Sequence, residues 1–278
     1  VSARRITPIG ALRLVTLAVG AAVMVTPFLY MVSTSFKAQQ YVLKVPPQFI
    51  PDPATLSNYQ RVLIKDDFGL YFLNSLLVAC SSTAISVLLS AMMAYGFARY
   101  RFPGREWLFR ILLLGLMIPA MMLIVPQFVL AKWLGLIDTL AGLVVFYVAG
   151  NLALNTFLMR GFFEALPQEL DDAMQIDGAS EWRRFVGLAL PLSRPALATA
   201  TIFTFLATWD EYPWALASIV SPQNKTLPIA IALLQGPRGT QWGLVFAASI
   251  IAILPVIVVF LIFQRHFVQG LTAGAVKG

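Results

Sequence analysis

Long stretches without a single charge constrain this chain most. Leu14–Phe36 runs 23 residues uncharged, Phe68–Ala98 runs 31, Ile111–Ala131 and Thr139–Met159 run 21 each, and Gly239–Gln264 runs 26. An α-helix needs ~20 mainly apolar residues to cross a bilayer, so each run is long enough. A sixth stretch, Pro195–Asn224, is interrupted only by Asp210 and Glu211. The expectation is an all-α membrane protein with six transmembrane helices near 13–34, 71–95, 108–130, 139–160, 195–217 and 242–264. Composition agrees: charged residues make up 12%, against ~25% in soluble domains. With 59% hydrophobic residues the chain is not disordered, and its only cysteine, Cys80, excludes a disulfide framework. The net charge of +7 comes from cations scattered in short gaps between apolar runs. That pattern belongs to polytopic membrane proteins and not to nucleic-acid binders. The first run is too long for the core of a cleaved signal peptide, typically ~7–15 residues.

Orientation follows from the loops. Thirteen of the 20 Lys and Arg residues fall in the segments that are cytoplasmic if both ends are inside, seven in the others. The positive-inside bias therefore places both termini in the cytoplasm. Residues 1–12 become a cytoplasmic N-terminus, 13–264 the transmembrane domain, 37–67 an external loop, 161–194 a cytoplasmic loop, and 265–278 a cytoplasmic tail. Pro46, Pro47, Pro51 and Pro53 make the centre of the external loop extended.

The cytoplasmic loop is the most informative. Pro167 suits the first turn of a helix, and Glu169, Asp171 and Asp172 follow where carboxylates favour the helix dipole. Leu170, Ala173 and Met174 share one face by their spacing. Gly178 is placed to end this helix in a left-handed conformation, and Ser180 to cap a second. Trp182, Phe185, Val186 and Ala189 form another apolar stripe. Two short amphipathic helices joined at a glycine are expected. They either pack on their own bundle or dock a cytoplasmic partner.

Asp172, Ala173, Met174, Asp177, Gly178 and Ala179, followed by Leu190 and Pro191, resemble the EAA loop of binding-protein-dependent ABC importer permeases, with Asp172 standing for the Glu and Met174 for the second Ala. Phe72-Leu73-Asn74-Ser75, the segment Ala94–Arg105, the prolines Pro119 and Pro126, and Thr208–Tyr212 resemble further signatures of that family in the same order. The ending Gly270–Gly278 is similar to that of the G-type subunits of maltose-type carbohydrate importers.

The resemblance implies a type I ABC importer permease fold in a bacterial cell membrane. It also implies a homologous second permease, two copies of a cytoplasmic ABC ATPase, an extracytoplasmic solute-binding protein, and contact with membrane lipid but not nucleic acid. The chain contains no G-x-x-x-x-G-K-[ST] phosphate loop. It is therefore expected to be no enzyme and to hold no cofactor, ATP and Mg being bound by the partner ATPase. By the same resemblance Glu169, Asp172, Ala173, Met174, Asp177, Gly178, Ala179, Leu190 and Pro191 contact the ATPase, and Gly270, Gly274 and Gly278 reach between its subunits; a frayed terminus is the other reading of the tail. The solute is expected to be a sugar or sugar-like molecule, with a glycerophosphoryl compound as the alternative.

Asp210 and Glu211 are carboxylates within an apolar stretch, where ionisable residues are functional candidates. With Trp209 and Tyr212 they form either an interface belt that meets the binding protein or a substrate contact. Asn74, Asn151 and Asn155 either bond neighbouring helices or line a polar pathway. A stand-alone secondary transporter is disfavoured, because few ionisable residues lie within the spans. An intramembrane metalloenzyme is disfavoured by a single His and a single Cys.

Overall fold

The computed structural model describes residues 8–64, 67–236 and 239–275. In chain order its helices are α1 (Pro8–Ser35), α2 (Gln39–Val42), α3 (Ser57–Ile64), α4 (Phe68–Arg99), α5 (Arg105–Leu114), α6 (Ile124–Trp133), α7 (Leu140–Glu164), α8 (Gln168–Ile176), α9 (Glu181–Arg184), α10 (Leu190–Leu192), α11 (Arg194–Trp209), α12 (Pro213–Ser218), α13 (Leu227–Leu233) and α14 (Trp242–Ala275). A short antiparallel hairpin, β1 (Gln235–Gly236) with β2 (Gly239–Thr240), pairs Gln235 with Thr240.

The described residues hold four helices long and apolar enough to cross a membrane: Ile9–Ser35, Phe68–Arg99, Leu140–Glu164 and Trp242–Gln264. Two further spans exist if each of two bent pairs counts as one. The first pair, Arg105–Met117 with Ala120–Trp133, turns by 95°. An unbroken helix over 108–130 is thus corrected. Ile118 is extended, with φ −91° and ψ 120°, because the ring of Pro119 disfavours a helical residue before it. The second pair, Glu181–Leu192 with Arg194–Trp209, turns by 78°. A π-helical turn over Phe185–Ala189 and the prolines Pro191 and Pro195 interrupt the regular ladder there. A continuous helix over 195–217 is also corrected: α11 stops at Trp209, and α12 begins after a break at Asp210–Tyr212.

The chain divides into two compact units, Val1–Gly69 with Ile231–Ile253 and Leu70–Ala230 with Leu254–Gly278. In the first unit, Asn58 of α3 donates from Nδ2 to the carbonyls of Ser35 and Lys37, at 2.8 Å each. Gly243 at the start of α14 passes so close that a Cβ there would lie 2.6 Å from the Asn58 Nδ2. Gln39 bonds the Thr240 carbonyl at 2.9 Å and Arg61 bonds Gln241 Oε1 at 2.8 Å. The segment after α1 is therefore tied to the hairpin and to α14.

The second unit has two apolar clusters. One gathers Ala91, Ala94, Tyr95, Met159, Phe163, Phe185, Ala189 and Ala200 beside the α8–α9 loop. The small Ala200 lets α11 approach α7 closely. The other gathers Val78, Ala131, Leu143, Phe146, Tyr147, Trp214, Ala215, Ile219 and Ile229 around α12.

Candidate functional site: a helix pair and an acid-lined cavity

Helix α8 closes at Gly178 with φ +76°. The Ala179 amide donates to the Met174 carbonyl at 2.9 Å and the Gly178 amide to Gln175 at 3.0 Å. These two bonds form the Schellman motif that ends a helix at a left-handed residue. The Ser180 hydroxyl then accepts from the Arg183 amide and caps α9. The glycine stop and the serine cap read from the sequence are both present.

A buried ion pair links the two helices. Arg184 Nη1 lies 2.9 Å from Asp171 Oδ2, and both side chains are almost fully covered. Arg184 also bonds Gln175 at 3.3 Å and pairs with Glu181. Sequence reasoning placed Asp171 only on the helix dipole and missed Arg184; their thirteen-residue separation carries no periodic signal. Arg99, at the end of α4, donates to the Leu166 carbonyl at 2.9 Å and to Gln168 Oε1 at 2.8 Å. Tyr100 donates to Glu181. Burial, then that bond to the carboxylate, holds the Tyr100 phenol above its usual pKa. The pair is thereby joined to the end of a long apolar helix.

The apolar faces divide more finely than their spacing suggests. Leu170, Ala173 and Ile176 are exposed, Ile176 at 86%, while Met174 is half-covered, its Cε 3.8 Å from where a Cβ on Gly187 would stand. Of the second stripe, Phe185 and Ala189 are buried in the adjacent cluster, whereas Trp182 and Val186 are exposed. Glu169, Asp172, Asp177 and Gly178 lie at the surface, and Ala179, Leu190 and Pro191 are half-buried.

The second feature is a cavity of about 330 Å³ in the second unit. It is lined by Gln127, Tyr147, Asn151, Thr208, Glu211 and Trp214 together with apolar side chains from α6, α7 and α11. Glu211 organises its wall. The carboxylate accepts the Trp214 amide at 2.7 Å and the Ala215 amide at 3.0 Å, and the Tyr147 hydroxyl at 2.5 Å. It therefore caps α12 and ties it to α7. Asn151 Nδ2 donates to the Tyr147 carbonyl at 2.8 Å. Of the polar residues singled out by sequence, Glu211 and Asn151 meet here. Tyr147 and Gln127 were missed, because on an apolar helix they read as ordinary packing residues.

The others lie elsewhere. Asn74 donates to the Gln223 and Lys225 carbonyls at 2.8 and 2.9 Å and holds the turn before α13. Asn155 is buried and bonds Thr204 at 2.8 Å, α7 to α11. Trp209 is buried, stacked on Phe205 at 5.6 Å and edge-on to Phe72 at 5.7 Å, so it offers no open ring face. Asp210 is exposed, and Tyr212 packs at the margin of the α12 cluster. Gly270 and Gly274 stand in the helical backbone of α14, which continues through Ala275. Gly278 lies outside the described residues.

The model of the family described as "Binding-protein-dependent transport system inner membrane component" matches residues 86–273, from within α4 to near the end of α14. The chain belongs to that family. It is thus a multi-pass membrane protein and the permease component of an ABC importer. It is 37% identical over 275 residues, 96% of this chain and 98% of the other, to the trehalose/maltose transport system permease protein MalG of Thermococcus litoralis. It is 33% identical over 259 residues, 92% of this chain and 85% of the other, to the diacetylchitobiose uptake system permease protein NgcG of Streptomyces coelicolor. The fold matches a chain of a bacterial ABC transporter that imports the acidic polysaccharide alginate, with a TM-score of 0.82 and 24% identity over 96% of this chain and 99% of that one.

Proposed function

We propose that this permease passes a neutral sugar or oligosaccharide, delivered by an extracytoplasmic binding protein, and that the cavity beside Glu211 is a section of its path. Relatives named for trehalose, maltose and diacetylchitobiose support the carbohydrate class. The observation that carries the choice is the lining itself. Glu211 is the only charged side chain among the described lining residues. A carboxylate accepts hydrogen bonds from sugar hydroxyls but repels a phosphate, which disfavours a glycerophosphoryl solute. The volume lies at the lower end of the ~300–1,000 Å³ usual for small-molecule sites, enough for part of a sugar chain at one time.

In the same reading α8 is the lever that carries ATPase closure to the spans. Leu170, Ala173 and Ile176 enter a cleft of the ATPase, and Glu169, Asp172 and Asp177 meet basic groups at its rim. ATP and Mg stay on two copies of that subunit, and a homologous permease completes the path. Both termini are cytoplasmic and residues 37–67 external. The end of α14 reaches between the ATPases; Gly270 and Gly274, four apart on one helical face, permit close approach there.

The complex reconstituted with its binding protein tests the substrate class. ATP hydrolysis is measured with neutral disaccharides, oligosaccharides and glycerophosphoryl compounds in turn. Stimulation by a neutral sugar is expected. Stimulation confined to a phosphorylated solute would overturn the reading.

A further inference from the structure

The segment after α1 turns back along the helix it has just left. Phe49 lies edge-on to Tyr30, ring centroids 5.7 Å apart. The Ser33 hydroxyl donates to the Phe49 carbonyl, and the Lys37 ammonium to that of Gln48, while lying 4.7 Å from the Tyr30 ring. Ala54 then bridges to Lys37, and the Thr55 amide donates to the Phe36 carbonyl at 2.8 Å. The chain therefore descends to Phe49 and climbs again by Ala54. Tyr30 stands five residues before the end of α1, about 7.5 Å down its axis at 1.5 Å per residue. α1 is long and apolar enough to span the membrane, so Phe49 packs against the last turns of a spanning helix and not beyond its end.

The side chains around this low point face outward. Val45 is 88% exposed and Ile50 82%; Leu43 and Phe49 are exposed as well. Lys44, also exposed, stands among them. Such a cluster has an occupant in most proteins. An apolar group flanked by a lysine and set at the end of a spanning helix has the chemistry of the headgroup–acyl boundary, with the aromatic rings at interface level.

We infer that residues 43–50 form a lipid anchor that dips into the leaflet at the C-terminal end of α1, with Val45, Phe49 and Ile50 among the upper acyl chains and Lys44 at the phosphates. The anchor holds the base of the 37–64 segment at a set height, and through Gln39 and Arg61 it steadies the hairpin and the start of α14. It does not depend on the solute or on which side of the membrane the segment occupies.

Spin labelling tests this on the full importer in lipid nanodiscs. Cys80 is replaced by serine, and single labels are placed through Ile50→Cys and, separately, Val45→Cys. Both side chains project from the surface, so a label displaces little. Collision rates with oxygen, which concentrates among acyl chains, and with a water-soluble nickel complex are compared. The anchor predicts oxygen collisions several-fold above nickel collisions at both positions. Nickel collisions in excess would place the segment in water and overturn the inference. Low rates for both would show it covered by another protein, which equally overturns it.

Discussion

The two apolar clusters of the second unit are flanked by acids that are satisfied in different ways. Beside α8 and α9, Asp171 is buried against a guanidinium, Arg184. Around α12, Glu211 and Asp138 are met by backbone amides: Glu211 by Trp214 and Ala215, Asp138 by Val220 and Ser221 at 2.9 and 2.8 Å. Asp138 is also bonded by the Ser221 hydroxyl, while its carbonyl accepts Asn224 at 2.6 Å. A side-chain ion pair links two helices that remain separate bodies. Amide caps make a loop part of the element they close. The first arrangement suits a joint through which motion passes, the second a wall whose shape must persist.

The contrast predicts unequal damage. Removing one partner of a buried ion pair leaves the other charge uncompensated, at a cost of about 3–5 kcal/mol. Arg184→Ala is therefore expected to abolish transport and ATPase co-purification while the protein still enters the membrane. Replacing both partners by apolar residues, Arg184→Met with Asp171→Leu, is expected to restore assembly in part. Equal defects in the single and double variants would deny the pair its role in setting the joint.

Gly178→Val is expected next in size. A left-handed β-branched residue costs about 1–2 kcal/mol, and no atom stands within 4 Å of the added Cβ. The penalty is one of backbone conformation alone, so Gly178→Asn should be much milder than Gly178→Val when co-purified ATPase is quantified.

Much of this joint was legible, because its signals are local. Pro167, Gly178 and Ser180 act within a turn of where they stand: Gly178 and Ser180 end and cap their helices as expected, while Pro167 stands just before the first turn of α8 and not in it. The Arg184–Asp171 pair was not legible, since it exists only once α9 folds back on α8. The breaks at Pro119 and at Asp210–Tyr212 were hidden for a different reason: hydropathy reports length and apolarity, and a bent span keeps both. Glu211 was recognised as unusual, but its capping role depends on α12 starting two residues later, which the continuous-span reading had excluded.

In the wall, Glu211→Gln retains the shape and loses the charge. One oxygen becomes an NH2 that cannot accept, so either the Trp214 amide or the Ala215 amide loses its acceptor, and a loss of about 1 kcal/mol or more is expected. Solute uptake should fall while ATPase assembly is unchanged. A matching loss of assembly would mean that the wall and the joint are not independent.

The smallest effect concerns pH. Hydrogen bonds from Ser221, then the Ser221 and Val220 amides, hold the Asp138 carboxyl below its ordinary pKa. A carboxylate so lowered stabilises the folded state above its ordinary value, and the contribution fades as pH falls through the lowered one. The thermal unfolding midpoint of the detergent-solubilised complex should therefore fall on acidification, and Asp138→Asn should flatten that dependence slightly.

The central claim is that α8 is the surface that meets the ATPase. Ile176, 86% exposed on that helix, reports on it directly. With Cys80 replaced by serine, Ile176→Cys is treated with a short bifunctional thiol reagent in the assembled complex carrying single cysteines on the ATPase. A cross-link to the ATPase, lost on adding Gly178→Val, is the predicted result. Modification of Ile176→Cys by a membrane-impermeant reagent in intact cells, with no ATPase adduct in any pairing, would contradict it.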